Sequence, residues 1–239
     1  MAAEAEPSTA GERRARWAAL AITLPYLSLG IVDAFYVGWL SHPVWLYWAA
    51  DAFEHIVLGG LLLWAILRAT GWRLADLGLA WPPGARPGLR LLVYALIAAP
   101  LLASSLTDRL TLALGVPFPV GESEYDYDAV MPGGGGLRVL AVLYLCASSS
   151  IVEEIFYRGV LWRAIAPAGS GLSRQIFFVV FSALLFGASH TEQGAFGVVT
   201  TGIWGALCSV MLLGMRSLWP LIIGHAATNL FQFRVDLLG

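Results

Sequence analysis

Residues Ser148–Arg163 read SSSIVEEIFYRGVLWR, and this stretch decides how the rest of the sequence is interpreted. It overlaps the end of the apolar run Leu137–Ser150 and places Glu153, Glu154 and Arg158 in one predicted helix. At the centre of a bilayer an ionisable side chain costs roughly 2.5–3.5 kcal/mol, so three facing lipid would cost on the order of 8–10 kcal/mol. Such side chains face a protein interior or a wet cavity, and they indicate a functional site.

The three charged residues of this stretch do not balance one another. Glu154 and Arg158 are four residues apart and lie on one helix face, with the acid before the base, so they can neutralise each other. Glu153 is turned about 100° away by the helical period and has no local partner. We therefore expect other parts of the chain to supply a partner for Glu153.

The composition is that of a polytopic membrane protein. Of 239 residues, 58% are hydrophobic and only 13% are charged, with a mean hydropathy of +0.72. A soluble domain carries about 25% charged residues. All 14 basic residues are arginine, and with many Ala, Leu and Gly this suggests a high-GC, bacterial genome. Cys146 and Cys208 lie in apolar runs without CxxC spacing, which predicts packing residues and no disulfide.

The apolar runs predict an all-α membrane bundle of about seven transmembrane helices, with six to eight possible, around a polar cavity. Residues 1–16 are predicted as a disordered tail, 17–136 as N-terminal helices and loops, and 137–239 as a C-terminal helical core, with 17–239 one integrated domain. Loops are expected at Arg68–Arg90 and Asp108–Gly136, with a short strand or turn possible at Tyr125 and Tyr127. The predicted spans are Trp17–Leu40, Val44–Leu67, Leu89–Leu106, Leu137–Ile165, Gln175–His190, Ala195–Met215 and Leu218–Phe233.

Arginine placement predicts the orientation. With the N-terminus inside and seven spans, most arginines fall on the inner side, as the positive-inside rule requires. We therefore predict an integral protein of the bacterial cytoplasmic membrane with a cytoplasmic N-terminus. The inner arginines are Arg13, Arg14, Arg16, Arg68, Arg73, Arg86, Arg90, Arg163, Arg174 and Arg216, against Arg109, Arg138 and Arg234 outside.

Polar residues also interrupt the second span and two late spans. Asp51 and His55 are four residues apart and could pair, with Glu54 beside them. An interfacial or bundle-facing polar patch is the favoured interpretation of these three residues, ahead of a catalytic role, and a cavity lining lies between the two.

In the late spans, His190 closes the segment Phe186–His190, and His225 lies four residues before Asn229 on the same helix face. A carboxylate, two imidazoles and an amide are the parts of a hydrolytic site. Glu153 in an apolar cavity can act as a general base on water, and a His and an Asn can donate hydrogen bonds to an oxyanion. Taken singly, each group could instead pack, clamp two helices or form a structural ion pair. Their combination favours catalysis.

These residues carry a resemblance to a known family. Glu153–Arg158 matches the EExxxR signature, Phe186–His190 matches FxxxH and His225–Asn229 matches HxxxN, in the same order as in the CPBP family of CAAX proteases and bacteriocin-processing enzymes. The resemblance covers roughly residues 137–233.

The resemblance implies an all-helical intramembrane endopeptidase similar to the Ras-converting CAAX protease. It implies that Glu153 and His190 activate water, that His225 and Asn229 form the oxyanion side, and that Glu154 and Arg158 brace the site. The family has been described both as zinc metalloproteases and as glutamate-dependent proteases. Glu153, His190 and His225 could bind zinc with an open position. We favour a metal-free mechanism, because the Asn229 amide is better suited to an oxyanion than to a metal.

The predicted partners are a membrane-anchored protein or peptide substrate and the lipid bilayer, with no nucleic acid; the oligomeric state is left open. A non-catalytic scaffold, or an immunity or regulatory protein that binds partner helices, is the alternative function. A proton-coupled transporter would predict inverted repeats, and we find no convincing internal similarity. Leader peptides, bacteriocin precursors and sorting tails all remain candidate substrates.

One expectation concerns helix geometry. His190 lies about 15 residues into its predicted span, roughly 22 Å along the axis, whereas His225 lies about 7 residues into its own, roughly 10 Å. Both spans begin on the same side of the membrane. The two histidines can therefore meet only if the helices are tilted, staggered or begin at different depths.

Overall fold

The computed structural model describes residues 9–40, 43–80, 87–102, 104–117 and 127–233, and these contain helices but no strand. The predicted all-α class is therefore confirmed. The α-helices are α1 (Ala10–Leu40), α2 (Val44–Ala52), α3 (Gly59–Thr70), α4 (Pro87–Leu101), α5 (Ser104–Ala113), α6 (Gly135–Glu153), α7 (Leu161–Ile165), α8 (Leu172–Ala188), α9 (Gly194–Met215) and α10 (Trp219–Gln232).

Within the described ranges, four helical segments are long and apolar enough to cross a membrane: Ala10–Val32, Val44–Thr70, Gly135–Ile165 and Thr191–Met215. They correspond to the first, second, fourth and sixth predicted spans. The helix α8, with 17 residues, and α10, with 14, are shorter than the ~20 residues that cross a bilayer core. The helical membrane bundle is confirmed, with full-length spans alternating with shorter helices.

The third predicted span, Leu89–Leu106, is not one continuous helix. The helix α4 ends at Leu101, and α5 begins at Ser104. At the break, the carbonyl of Leu102 accepts hydrogen bonds from Trp204 Nε1 at 3.0 Å and from Thr228 Oγ1 at 3.3 Å. These donors on α9 and α10 stabilise a carbonyl that has left the regular helical pattern.

Two predicted irregular segments are partly helical. The disordered tail was predicted to reach residue 16, but α1 begins at Ala10 because Thr9 and Glu12 form a reciprocal cap, with both hydrogen bonds 3.2 Å long. Residues 1–8 lie outside the described part. The loop predicted at Asp108–Gly136 is helical up to Ala113 and has a 3-10 turn at Tyr127–Val130, where a strand was considered. Tyr125 lies outside the described residues.

Two π-helical turns interrupt the long spans. Phe53–Leu58 joins α2 to α3, and Glu154–Val160 joins α6 to α7. A π turn inserts an extra residue and frees backbone carbonyls from the α pattern, and such turns occur often at functional sites. The buried Ser182 hydroxyl donates to the Tyr157 carbonyl at 2.8 Å, which fixes α8 against the second turn.

The core lies around this second π turn. Phe156, Phe178 and Phe186 are almost completely buried there, while large apolar side chains such as Trp64 and Leu184 are exposed on the outer surface. In a membrane protein, this outer apolar surface faces lipid. Cys146 and Cys208 are buried and unpaired, as predicted.

The helices α8 and α9 form the most extensive helix pair, and they approach closely at Gly187. A Cβ atom placed there would lie 2.6 Å from the Val198 carbonyl oxygen. Only glycine allows this approach, which positions the end of α8 and therefore His190.

Candidate active site

A polar cavity of about 400 Å³ lies between α1, α6, α8, α9 and α10. Glu153, His190, His225 and Asn229, the four residues predicted as catalytic, all line it. The polar residues of three separate late segments thus share one space.

His225 lies between two carboxylates. Its Nδ1 is 3.0 Å from Glu154 Oε1, and its Nε2 is 3.6 Å from Glu153 Oε2. The second distance is longer than a hydrogen bond, and Glu153 Oε2 has no hydrogen-bond partner among the described residues. His225 is therefore the ionic partner that Glu153 lacked in its own helix, and the Glu153 side chain remains 21% exposed at the cavity.

Glu154 and Arg158 form the predicted ion pair, and both side chains are completely buried. Arg158 Nη1 lies 3.5 Å from Glu154 Oε1, the same oxygen that contacts His225. The guanidinium carbon lies 4.1 Å from the ring centre of Phe186 and 5.2 Å from that of Trp204. These aromatic faces attract the cation, so Arg158 balances the charge of Glu154 without entering the cavity lining.

Asn229 is held by a residue that the sequence analysis did not single out. Its Nδ2 donates to Ser149 Oγ at 3.1 Å, and Ser149 Oγ donates to the Leu145 carbonyl at 2.7 Å. Ser149 belongs to the triplet Ser148–Ser150 that precedes Glu153, which is the signal that could have identified it. One amide hydrogen of Asn229 is used in this contact, and the second remains for a ligand.

His190 lies just past the end of α8. Its Nδ1 donates to the Phe186 carbonyl at 2.8 Å, so in the neutral ring Nε2 carries the free lone pair. Phe186 lies between the two histidines, with ring centres 4.6 Å from His190 and 6.2 Å from His225. The expected difference in depth is thus resolved: His190 follows the last turn of α8, His225 is in the middle of the short α10, and both face one cavity.

Trp204 on α9 packs against the edge of the site. Its ring centre lies 4.4 Å from that of His225, and its Nε1 donates to the Leu102 carbonyl. Thr228 on α10 donates to the same carbonyl. The break between α4 and α5, which lies in the N-terminal half, therefore fixes two helices that carry the site. A lone Trp in an apolar run gave no sequence signal for this role.

The acidic group in the second span also lines the cavity. Asp51 and His55 form the predicted pair, with Oδ1 and Nδ1 3.1 Å apart, and Glu54 lies beside them. Asp51, Glu54 and His55 therefore line the cavity, which was the intermediate interpretation, and the favoured interpretation of an interfacial or bundle-facing patch is corrected. Asp108 and Glu192 add carboxylates to the same lining, so the cavity suits a polar or cationic segment.

The described residues contain no group of three His, Cys, Asp or Glu side chains that could hold a metal ion. Glu153, His190 and His225 therefore do not form such a group. His225 directs both ring nitrogens at carboxylates, and His190 uses Nδ1 on a backbone carbonyl. The three residues named as possible zinc ligands do not form a zinc site in this arrangement.

The family model described as "Type II CAAX prenyl endopeptidase Rce1-like" matches residues 135–231. The matched part of the chain is similar to this family, which supports the resemblance indicated by the three motifs. No curated protein and no solved structure matches the chain. The matched CAAX endopeptidase segment begins at α6 and ends within α10, so it contains every residue predicted as catalytic or bracing. The family indicates protease activity in general and an integral membrane protein.

Proposed function

We propose that the protein is an intramembrane endopeptidase that hydrolyses a peptide bond of a membrane-associated protein or peptide with water activated by Glu153. The observation that carries this proposal is the shared cavity, in which Glu153, His190, His225 and Asn229 meet. The family match over residues 135–231 supports the reaction class, and the contacts described above support the individual roles.

Glu153 is the proposed general base. Its side chain lines the cavity and is 21% exposed, so the carboxylate can accept a proton from water. The water oxygen then attacks the carbonyl carbon of the substrate. His190, whose Nδ1 is held by the Phe186 carbonyl, orients the same water through Nε2.

His225 and Asn229 are the proposed oxyanion donors. With Nδ1 held by Glu154, Nε2 of His225 is the nitrogen that would meet the developing oxyanion, beside Glu153 at 3.6 Å. Asn229 presents the amide hydrogen that Ser149 does not use. Donors of this kind are typically worth about 10²–10³ in rate when aimed at the developing charge. When the carbon–nitrogen bond breaks, the proton held by Glu153 passes to the leaving amine.

The mechanism that we favour uses no metal ion. The donor set supports it, because His225 contacts carboxylates through both nitrogens and Asn229 supplies an amide, which is a poor zinc ligand. In this scheme the carboxylate and the two donors replace the charge stabilisation that a metal would provide.

We further propose that the N-terminus is cytoplasmic and that the cavity opens towards the outer side of a bacterial cytoplasmic membrane. Arg163 and Arg174 lie at the end of α7 and the start of α8, beside the start of α1. The positive-inside rule places this end in the cytoplasm. His190 lies 16 residues beyond Arg174, roughly 24 Å away along α8, towards the opposite side.

The experiment is cleavage of membrane-anchored peptides by the full chain in proteoliposomes. A panel of peptides places the test bond at different depths, and mass spectrometry identifies the products, which together must exceed the substrate mass by one water. We expect cleavage of bonds near the outer surface by the wild-type protein and cleavage about 10²–10⁴ slower by Glu153→Gln.

The scaffold alternative gives a different result. If Glu153→Gln and His225→Ala both fully restore the phenotype of a null strain, and the wild-type protein cleaves no peptide of the panel, partner binding is the function and the endopeptidase proposal fails. Loss of rescue in Glu153→Gln, with normal protein levels in the membrane, supports hydrolysis.

A further inference from the structure

A second cavity, of about 270 Å³, lies at the other end of the bundle, far from the proposed catalytic residues. The start of α1, the end of α3 and the end of α7 surround it. Its lining consists of Gly11, Glu12, Ala15, Arg16, Thr70, Trp72 and Arg163.

Arg16 is incompletely satisfied at this cavity. Its Nε and Nη1 atoms are buried and have no hydrogen-bond partner among the described residues. The positive charges of Arg174 and Arg163 lie near enough to repel that of Arg16. Arg16 as a whole is only partly buried, but buried nitrogens without hydrogen bonds are costly, and a bound anion would satisfy them.

The carboxylate beside Arg16 already has another role. Glu12 Oε2 accepts the backbone N–H of Thr9 as part of the cap of α1. Among the described residues that line the cavity, Glu12 is the only acid, and it faces Arg16 and Arg163. The cavity therefore keeps an excess of positive charge.

The other described residues that line the cavity do not use the arginine side chains as hydrogen-bond donors. The Arg163 guanidinium carbon lies 5.0 Å from the ring centre of Trp72, which orients its plane. The Thr70 hydroxyl donates to the Ile66 carbonyl at 2.7 Å and accepts the Trp72 N–H at 3.1 Å. Thr70 and Trp72 therefore shape the cavity, and the two guanidinium groups remain as the hydrogen-bond donors for an anion.

We propose that Arg16 and Arg163 form a binding site for a phosphate group, with anionic phospholipid head groups as the main source of that phosphate. Guanidinium groups bind phosphate through paired, charge-assisted hydrogen bonds. Basic pockets between transmembrane helices on the cytoplasmic side are suited to anionic head groups, which are enriched in that leaflet. The site lies at the arginine-rich end, and the proposal does not depend on the endopeptidase function.

The test measures lipid binding to the purified full chain by native mass spectrometry, with phosphatidylglycerol and phosphatidylcholine titrated in parallel. We expect the wild-type protein to prefer phosphatidylglycerol, and Arg16→Gln or Arg163→Gln to weaken its binding about fivefold each, the effect of one arginine at a membrane surface. Arg14→Gln is the matched control, because Arg14 is an exposed arginine on the same helix outside the cavity.

A separate arm adds inorganic phosphate. Displacement of phosphatidylglycerol by millimolar phosphate would assign the site to free phosphate, whereas lipid binding that persists would assign it to the head group. If Arg16→Gln does not fold, Arg16→Lys and Arg163→Gln give the same information. Equal binding of both lipids by the wild-type protein, or equal phosphatidylglycerol binding by Arg14→Gln, Arg16→Gln and Arg163→Gln, would overturn the proposal.

Discussion

His225 and Glu154 are joined through Nδ1 and Oε1, which lie 3.0 Å apart although 71 residues separate the two in the sequence. Because Glu154 is fully buried and also contacts Arg158, it connects the proposed oxyanion donor to the charge balance of the core. The position of His225 thus depends on a buried ion pair, and this dependence can be measured.

The first prediction concerns the stability of the Glu154–Arg158 pair. Arg158→Leu leaves a buried carboxylate without its cation and is expected to lower the free energy of unfolding by about 3–5 kcal/mol. Glu154→Gln/Arg158→Leu should cost less than the sum of the single changes, because no uncompensated charge remains. Equilibrium unfolding in detergent, read as a double-mutant cycle, measures both effects.

Asp51→Asn is the comparison for this cycle. Asp51 is paired with His55, but both side chains are partly accessible from the cavity. Its replacement should cost less than that of Arg158, because the Asp51–His55 pair lies at the cavity and is less completely enclosed than Glu154 and Arg158. If Arg158→Leu were as mild as Asp51→Asn, the ion pair would not be the support that we infer for His225.

The second prediction concerns Ser149. Ser149→Ala removes the acceptor that orients the Asn229 amide, and we expect kcat to fall about tenfold with little change in KM, since only part of an oxyanion donor's effect is lost. Steady-state kinetics on a cleaved peptide of the panel measures it. Ser148→Ala is the control, because the neighbouring Ser148 hydroxyl contacts the Leu145 carbonyl at 3.5 Å and the Tyr144 side chain, whereas Asn229 bonds to Ser149. Equal rates for both variants would exclude Ser149 as a positioning residue.

The third prediction concerns the close approach of α8 to α9. Gly187→Ala places a methyl group 2.6 Å from a backbone oxygen that cannot move freely, and overpacking of this kind typically costs about 1–3 kcal/mol. Activity should fall with stability, because His190 follows three residues later. Thermal unfolding and peptide cleavage are measured together.

Gly60→Ala is the matched control for this change. Gly60 lies in α3 with nothing within 4 Å of an added Cβ, so alanine should stabilise its helix by up to about 1 kcal/mol. A Gly187→Ala protein as stable as Gly60→Ala would show that the helices do not approach as closely as described.

Much of this site could be predicted from the sequence, because an ionisable side chain in a membrane-spanning helix is costly unless it faces a polar cavity or a partner. Glu153, His190, His225 and Asn229 were identified by their polarity within predicted spans, and the structure places all four around one cavity. The Glu154–Arg158 and Asp51–His55 pairs follow from four-residue spacing on a helix, and both are present.

Other features depend on tertiary contacts that carry no local signal. The break at Leu102 occurs in an apolar run and is stabilised by Trp204 and Thr228, which lie more than 100 residues further along the chain. Likewise, the π turn at Glu154–Val160 is supported by Ser182, on another helix. Periodicity alone cannot locate either feature, because a regular helix fits both segments equally well.

The proposed function depends most on Glu153 as the base that activates water. The most direct measurement is kcat/KM for one cleaved membrane-anchored peptide with the wild-type protein, Glu153→Gln and Asp76→Asn. Asp76→Asn is the control, because it replaces a carboxylate outside the cavity. The three proteins are compared only if their melting temperatures are equal. We predict a loss of about 10²–10⁴ in Glu153→Gln, the usual contribution of a general base, and no loss in Asp76→Asn. Cleavage by Glu153→Gln at the wild-type rate would contradict the account.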